Sequence, residues 1–341
     1  MTRRPHPTTE SSVRFHWLYA AAAACLCACA STDSGPTKEQ QAQMHREFAN
    51  TYLVNGQLAQ AEQQADLGLA AMPHDTGLRF LKAWAMLRRG TPQDVFAAEK
   101  LFRDLVSTKD YHALEGLGEA LERKGVLYWE SAQAVESGKR PTQALDPKAR
   151  VADFRDAAQK AWREAIDCYN KALERKSGEI PAINGLQRTY ALLGDFESSL
   201  KWSETLLAQS EGEIAFWKKQ LDRPDLTAKD EERWRSLLTA SSKLLVETHM
   251  QASTTAFKLG RKEDALAHLD HVIETAPSNA EAYSRRAQLL KDLGRTKEAR
   301  ESIQEFLRLS TLDLEHPDMK RALDLLTECD LELKKSTQAS R

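Results

Sequence analysis

Through residues 42–336, apolar side chains recur three and four positions apart, the spacing that gathers them on one face of an α-helix. The clearest stretch is Val151, Phe154, Ala158, Ala161, Trp162 and Ala165, which predicts an amphipathic helix. Glycine and proline punctuate such stretches at regular intervals. Tyr52, Gly56, Ala61 and Pro73 lie 4, 5 and 12 residues apart. Gly260, Ala265 and Pro277 repeat the last two intervals, and Leu290, Gly294 and Ala299 repeat the first two. Each residue type has a physical reason for its place. Glycine accepts the left-handed backbone that ends a helix. Alanine lets two helices cross closely, and proline lacks the amide needed to continue one.

Gly260 and Gly294 are 34 residues apart, and six units on that period can be laid along the chain. The first, 42–75, contains Phe48, Ala49, Tyr52, Gly56, Ala61, Leu69 and Pro73. The second, 76–109, keeps Ala83 and Gly90 and needs an insertion to bring Ala98 into register. The third, 111–178, opens with Leu114, Leu117, Gly118 and Gly125, is interrupted over 126–160, and resumes with Ala165, Tyr169, Ala172 and Leu173. The fourth, 180–213, has Ile183, Leu186, Tyr190, Gly194 and Phe196, with Ser199 in the alanine position. The fifth, 246–279, and the sixth, 280–313, abut, and Ser278 with Glu281 reads as a capping box between them. In these residues the chain resembles the tetratricopeptide repeat (TPR) family. The resemblance implies an all-α fold: a TPR-like α-solenoid, a right-handed superhelix of antiparallel helix pairs. It also implies protein–protein interaction rather than catalysis. Residues 314–336, with Leu323, Leu325 and Leu326 among charges, are expected to form a capping helix ahead of a tail at 337–341.

Two insertions depart from the pattern. Over 126–160 the first helix is prolonged, a polar loop follows at 137–141, and Asp146-Pro147 reads as an N-cap with proline in the first helical position. A projecting helical hairpin is expected. The second insertion, 210–245, reads as a short helix with Ile214, Phe216, Trp217 and Leu221, broken at Arg223-Pro224. A long helix then starts from Thr227 and carries Trp234, Leu237 and Leu238. Trp129, Trp217 and Trp234 sit in these insertions, with Trp162 just past the end of the first. Their spacing matches an inward face, so they are expected to join the extended helices; anchoring a partner is the alternative.

Composition agrees with a helical protein: 11 prolines and 15 glycines are few for 341 residues. With 41% hydrophobic and 29% charged residues, wholesale disorder is excluded. A net charge of −2 without a basic stripe makes nucleic acid an unexpected partner. Residues 1–29 read as an export leader, with Arg3, Arg4 and Arg14 flanking an apolar run over 15–28 too short to span a bilayer comfortably. Its end, Leu26-Cys27-Ala28-Cys29, resembles the bacterial lipobox, although Cys27 stands where a small residue is usual. That resemblance implies a signal peptide of a lipoprotein, acylation at Cys29 and a flexible tether over 30–41. Ala30 after the cysteine, rather than Asp, implies an outer-membrane lipoprotein facing the periplasm. Simple cleavage within Ala28-Cys29-Ala30, giving a soluble periplasmic protein, is the alternative. Cys168 and Cys329 lie in distant units and are not expected to form a disulfide.

In the TPR family the first helices of the pairs line a groove. The resemblance places in it Arg46, Asn50 and Leu53; Phe80, Trp84 and Leu87; Glu115, Glu119 and Glu122; Asn184, Arg188 and Leu192; and Met250 and Phe257. An apolar early surface followed by an acidic stripe suits an extended or helical peptide with apolar and basic residues. Arg46 and Asn50 coincide with two positions of the carboxylate clamp of chaperone-binding relatives, but Leu81, His112 and Gly116 replace the rest. No catalytic constellation, phosphate-cradling loop or cofactor motif is present, and no small-molecule substrate is expected. His268 and His271 share a helix face but lack further converging ligands, so no metal is expected. The expected function is a membrane-anchored interaction scaffold or adaptor of the bacterial envelope. A self-associating structural repeat protein, or an accessory subunit of an envelope enzyme, secretion or pilus assembly complex, is the alternative.

Overall fold

The computed structural model describes residues 35–107, 110–139 and 146–339. Among them are thirteen helices and no strand. Helices α1 (Lys38–Val54) and α2 (Leu58–Ala71) form the first antiparallel pair, and α3 (Thr76–Arg89) and α4 (Pro92–Leu105) the second. The third and fourth are α5 (Tyr111–Glu136) with α6 (Pro147–Arg175), and α7 (Ile180–Leu193) with α8 (Phe196–Leu221). The fifth and sixth are α9 (Ala228–Lys258) with α10 (Lys262–Thr275), and α11 (Ala280–Asp292) with α12 (Thr296–Leu309). Helix α13 (Pro317–Ala339) follows the last pair. Each helix packs on the next, and the first helices of neighbouring pairs touch along α1–α3, α3–α5 and α5–α7. The result is an all-helical solenoid, stabilised pair by pair through its neighbours.

The corners follow from the sequence. Gly56, Gly90, Gly194, Gly260 and Gly294 have φ between 73° and 80°, so each turns the chain where a side chain would be strained. At the helix crossings Ala49 with Ala61, Ala83 with Ala98, and Ala287 with Ala299 are fully buried. Ser199 takes the alanine place in the fourth pair because its hydroxyl has a partner: Oγ donates to the Gln187 carbonyl at 2.9 Å. In the fifth pair Ser253 makes the matching bond to the Ala265 carbonyl, also at 2.9 Å. The sixth pair is capped by Asn279, which accepts from Ala282 N at 3.1 Å, not by Ser278.

Gly125 is not a corner. It lies inside the 26-residue α5, buried against Trp162 of the 29-residue α6. These two helices pair more extensively than any others and form the hairpin of the first insertion. Asp146 caps α6, accepting from Lys148 N at 2.9 Å, with Pro147 next. In the second insertion the helix carrying Phe216 and Trp217 is not separate: α8 runs unbroken through residue 221. Its partner α9 has 31 residues, about 46 Å at 1.5 Å per residue. Trp217 stacks on Trp234 at 5.2 Å between centroids, and Trp129 meets Trp162 at 5.8 Å, so the tryptophans join the long helices.

Buried apolar side chains fall into three runs, spanning α1–α3, α3–α7 and α9–α13. Between the last two the buried α8–α9 positions include Ser203, Ser210, Ser241 and Thr248. Helix α13 covers the end of the stack with Met319, Ala322, Leu325 and Cys329. Leu323 points outward and is exposed, because it sits off that face.

Candidate functional site: the first-helix face

Helix geometry decides which predicted groove positions remain open. Asn50, on α1, and Leu192, on α7, are exposed, as is Phe257 on α9. Trp84, Phe80, Glu119, Asn184, Arg188 and Arg46 are partly exposed. Arg46 forms an ion pair with Asp75. Phe80 and Trp84 meet edge to face at 6.2 Å and both pack edge-on against the buried Phe102.

Five predicted groove residues are core instead. Leu53, Leu87 and Met250 are buried, each facing a neighbouring helix. Glu115 and Glu122 are buried too, and the acidic stripe is neutralised from within. Glu122 Oε1 and Oε2 each accept from the Arg188 guanidinium at 2.9 Å, and Oε2 accepts from Tyr169 Oη at 3.1 Å. Burial works against the Arg188 cation, but the Glu122 charge outweighs it and keeps the guanidinium protonated. Burial, then the Glu122 charge, pushes the Tyr169 phenol well above its ordinary value. Glu119 pairs with Arg123 at 2.6 Å. Glu115 contacts His112 Nδ1 at 3.0 Å and leaves Oε1 without a partner. Burial raises its pKa, a shift only partly offset by His112. A basic ligand therefore finds no free carboxylate row here.

Apolar surface also stays open on this face. A cleft of about 240 Å³ lies between α9 and α11, with Phe257, Leu269 and Leu289 in its wall and Ser253, Thr254, Arg285, Gln288 and Asp292 around them. Phe257 is 45% exposed and Leu192 of α7 38%. Met44 and Phe48 of α1 are also exposed, one helical turn apart, but on the side of the helix away from Arg46 and Asn50, so they do not belong to this face; Phe48 is therefore not core.

One cluster had no complete sequence signal. His249 on α9 reaches His268 on α10, Nδ1 to Nδ1 at 3.0 Å, and stacks on His271 at 5.0 Å. The i, i+3 pair was visible in the sequence, but its partner lies 19 residues earlier on the facing helix. Cys168 and Cys329 are free and buried. Burial, then Glu164, pushes the Cys168 thiol up to about 12, leaving it inert. Cys29 and the leader lie outside the described residues. Among the described residues no helix is long and apolar enough to cross a membrane.

Residues 280–311 match the family model for the tetratricopeptide repeat. The chain is similar in structure to a thermophilic TPR protein of Thermus thermophilus, with a TM-score of 0.44 and 18% identity over 73% of this chain and 98% of that one. It is also similar to a tetratricopeptide repeat protein of Parabacteroides merdae, with a TM-score of 0.37 and 15% identity over 84% of this chain and 99% of that one. No curated protein matches the chain. The sequence match is confined to the sixth helix pair, where α11 and α12 form a tetratricopeptide repeat.

Proposed function

We propose that this protein is a non-catalytic scaffold that holds a partner protein on its first-helix face, tethered to the bacterial outer membrane through acylated Cys29 with the array in the periplasm. Repeats of this kind generally serve protein–protein interaction. The observation that carries the reading is the exposure of Phe257 beside the α9–α11 cleft. Large apolar side chains left open around a concavity are what a partner's apolar anchors bury. Because Glu115, Glu119 and Glu122 are already satisfied or covered, the partner segment is apolar rather than basic. The lipobox-like Leu26-Cys27-Ala28-Cys29 supports the tether.

A photo-crosslinking residue at positions 192 and 257, with positions 201 and 267 on exposed parts of α8 and α10 as controls, tests the binding face in intact cells. A discrete protein adduct from the first two and not from the controls is expected. No adduct, or the same one from all four, contradicts the assignment. Cys29→Ser tests the anchor: the variant should leave the membrane fraction, and continued membrane partitioning contradicts acylation there.

A further inference from the structure

Three histidines meet where α9 packs on α10. His268 and His271 are neighbours on one face of α10, and His249 enters from α9. His249 Nδ1 is 3.0 Å from His268 Nδ1. The His271 ring stacks on His249 with centroids 5.0 Å apart and planes 25° apart. His249 is buried, whereas the His271 side chain is 58% exposed. Burial, then the neighbouring rings, hold His249 and His268 below an ordinary imidazole.

Two neutral rings facing each other through Nδ1 have one proton between them, so one nitrogen donates and the other accepts. A metal ion can replace that proton and engage both lone pairs. Metal–nitrogen bonds of about 2.0–2.1 Å at a tetrahedral angle put the nitrogens about 3.3 Å apart. The observed pair needs to open by only about 0.3 Å to meet that spacing. Asp264 and Glu204 act on His268 through their charges in favour of an added cation, against Arg261, which pairs with Asp264 at 2.6 Å. Among the described residues no three His, Cys, Asp or Glu side chains are already gathered as a metal set. The seat is therefore two imidazoles, completed by rotation of the exposed His271 ring and by water.

We propose that His249 and His268, with His271 swung in from the rim, bind a divalent transition-metal ion of the zinc, nickel or copper class. Such an ion would pin the long α9 to α10. This site is independent of the first-helix face, so either assignment can fail without the other.

The test is calorimetric titration of Zn²⁺ into the chelator-stripped full chain at pH 7.5, for the wild type, His268→Ala and the His268→Ala/His271→Ala double variant. Circular dichroism checks that each variant remains folded. One histidine-dependent ion per chain is expected. Its affinity should fall at least about tenfold in His268→Ala, a loss that substitution of a mere ligand-orienting residue already produces. Binding should also weaken at pH 5.5, where protons compete for the rings. Absence of uptake, or uptake unchanged in the double variant, overturns the proposal. Uptake that survives the double variant but disappears on thiol alkylation belongs to the cysteines and overturns it equally.

Discussion

The same substitution made at two helical glycines should change stability in opposite directions. At Gly125 of α5 an added Cβ would lie 2.5 Å from Trp162 Cδ1 and 2.8 Å from Cε2, about 1 Å inside ordinary carbon–carbon contact. Trp162 cannot yield easily: the indole is rigid and 2% exposed, and its Nε1 donates to the Glu122 carbonyl at 3.1 Å. Overpacking of this kind costs about 1–3 kcal/mol, and loosening a buried hydrogen bond adds about 1 kcal/mol. The helix preference of alanine over glycine returns about 1 kcal/mol. Gly125→Ala should therefore destabilise by about 1–3 kcal/mol. Gly212 of α8 is helical and exposed, with nothing within 4 Å of an added Cβ, so only the last term acts. Gly212→Ala should stabilise by about 0.5–1 kcal/mol. Urea titration followed by circular dichroism gives the signs. Hydrogen exchange read by mass spectrometry localises the effects, since a repeat array need not unfold in one step. A neutral or stabilising Gly125→Ala, or two effects of the same sign, would refute the packing described at the α5–α6 hairpin.

Two further outcomes follow from buried polar groups. Arg188→Met leaves the Glu122 carboxylate buried with only Tyr169 and Thr189 as side-chain donors and should destabilise by about 1–3 kcal/mol. That is less than for a fully enclosed pair because the Arg188 side chain is 38% exposed; no change in the urea midpoint would refute it. Burial, then the nearby rings, push His249 down to about 4, so the unfolded chain, titrating near 6.5, takes up this proton first. The His249 contribution is complete above about pH 6.5 and is lost as pH falls towards 4, about 2 kcal/mol of it between pH 7.5 and 5. His249→Gln should remove that part of the slope in chelated buffer, and an unchanged slope contradicts it.

The corners and crossings were legible in the sequence because each depends on a local residue property. Glycine at 56, 194, 260 and 294 is a backbone requirement, and alanine at 61, 265 and 299 is a size requirement; both appear as spacings. Gly125 shows the limit. It stands at the corner spacing, and the residues after it already predict a prolonged helix, but nothing local shows that its missing side chain makes room for Trp162, which lies 37 residues later and on another helix. The groove was legible only in part for the same reason. Helical periodicity fixes the angle of Leu87 or Glu122 about its own axis, but a neighbouring helix decides whether that angle is covered. Arg188 and Tyr169 turn Glu122 from a ligand-binding charge into a structural one. His249 carries no sequence signal because its partners become neighbours only after α9 and α10 have folded together.

A first-helix face open to a partner must leave its apolar side chains reachable by solvent. Radical footprinting by mass spectrometry on the isolated chain tests it without any substitution. Leu192 and Phe257 should be labelled readily, with Met44 as an exposed methionine reference away from this face, whereas Phe102, Met250 and Met319 should be protected. Protection of Phe257, or labelling of Met250 as fast as Met44, would contradict the account.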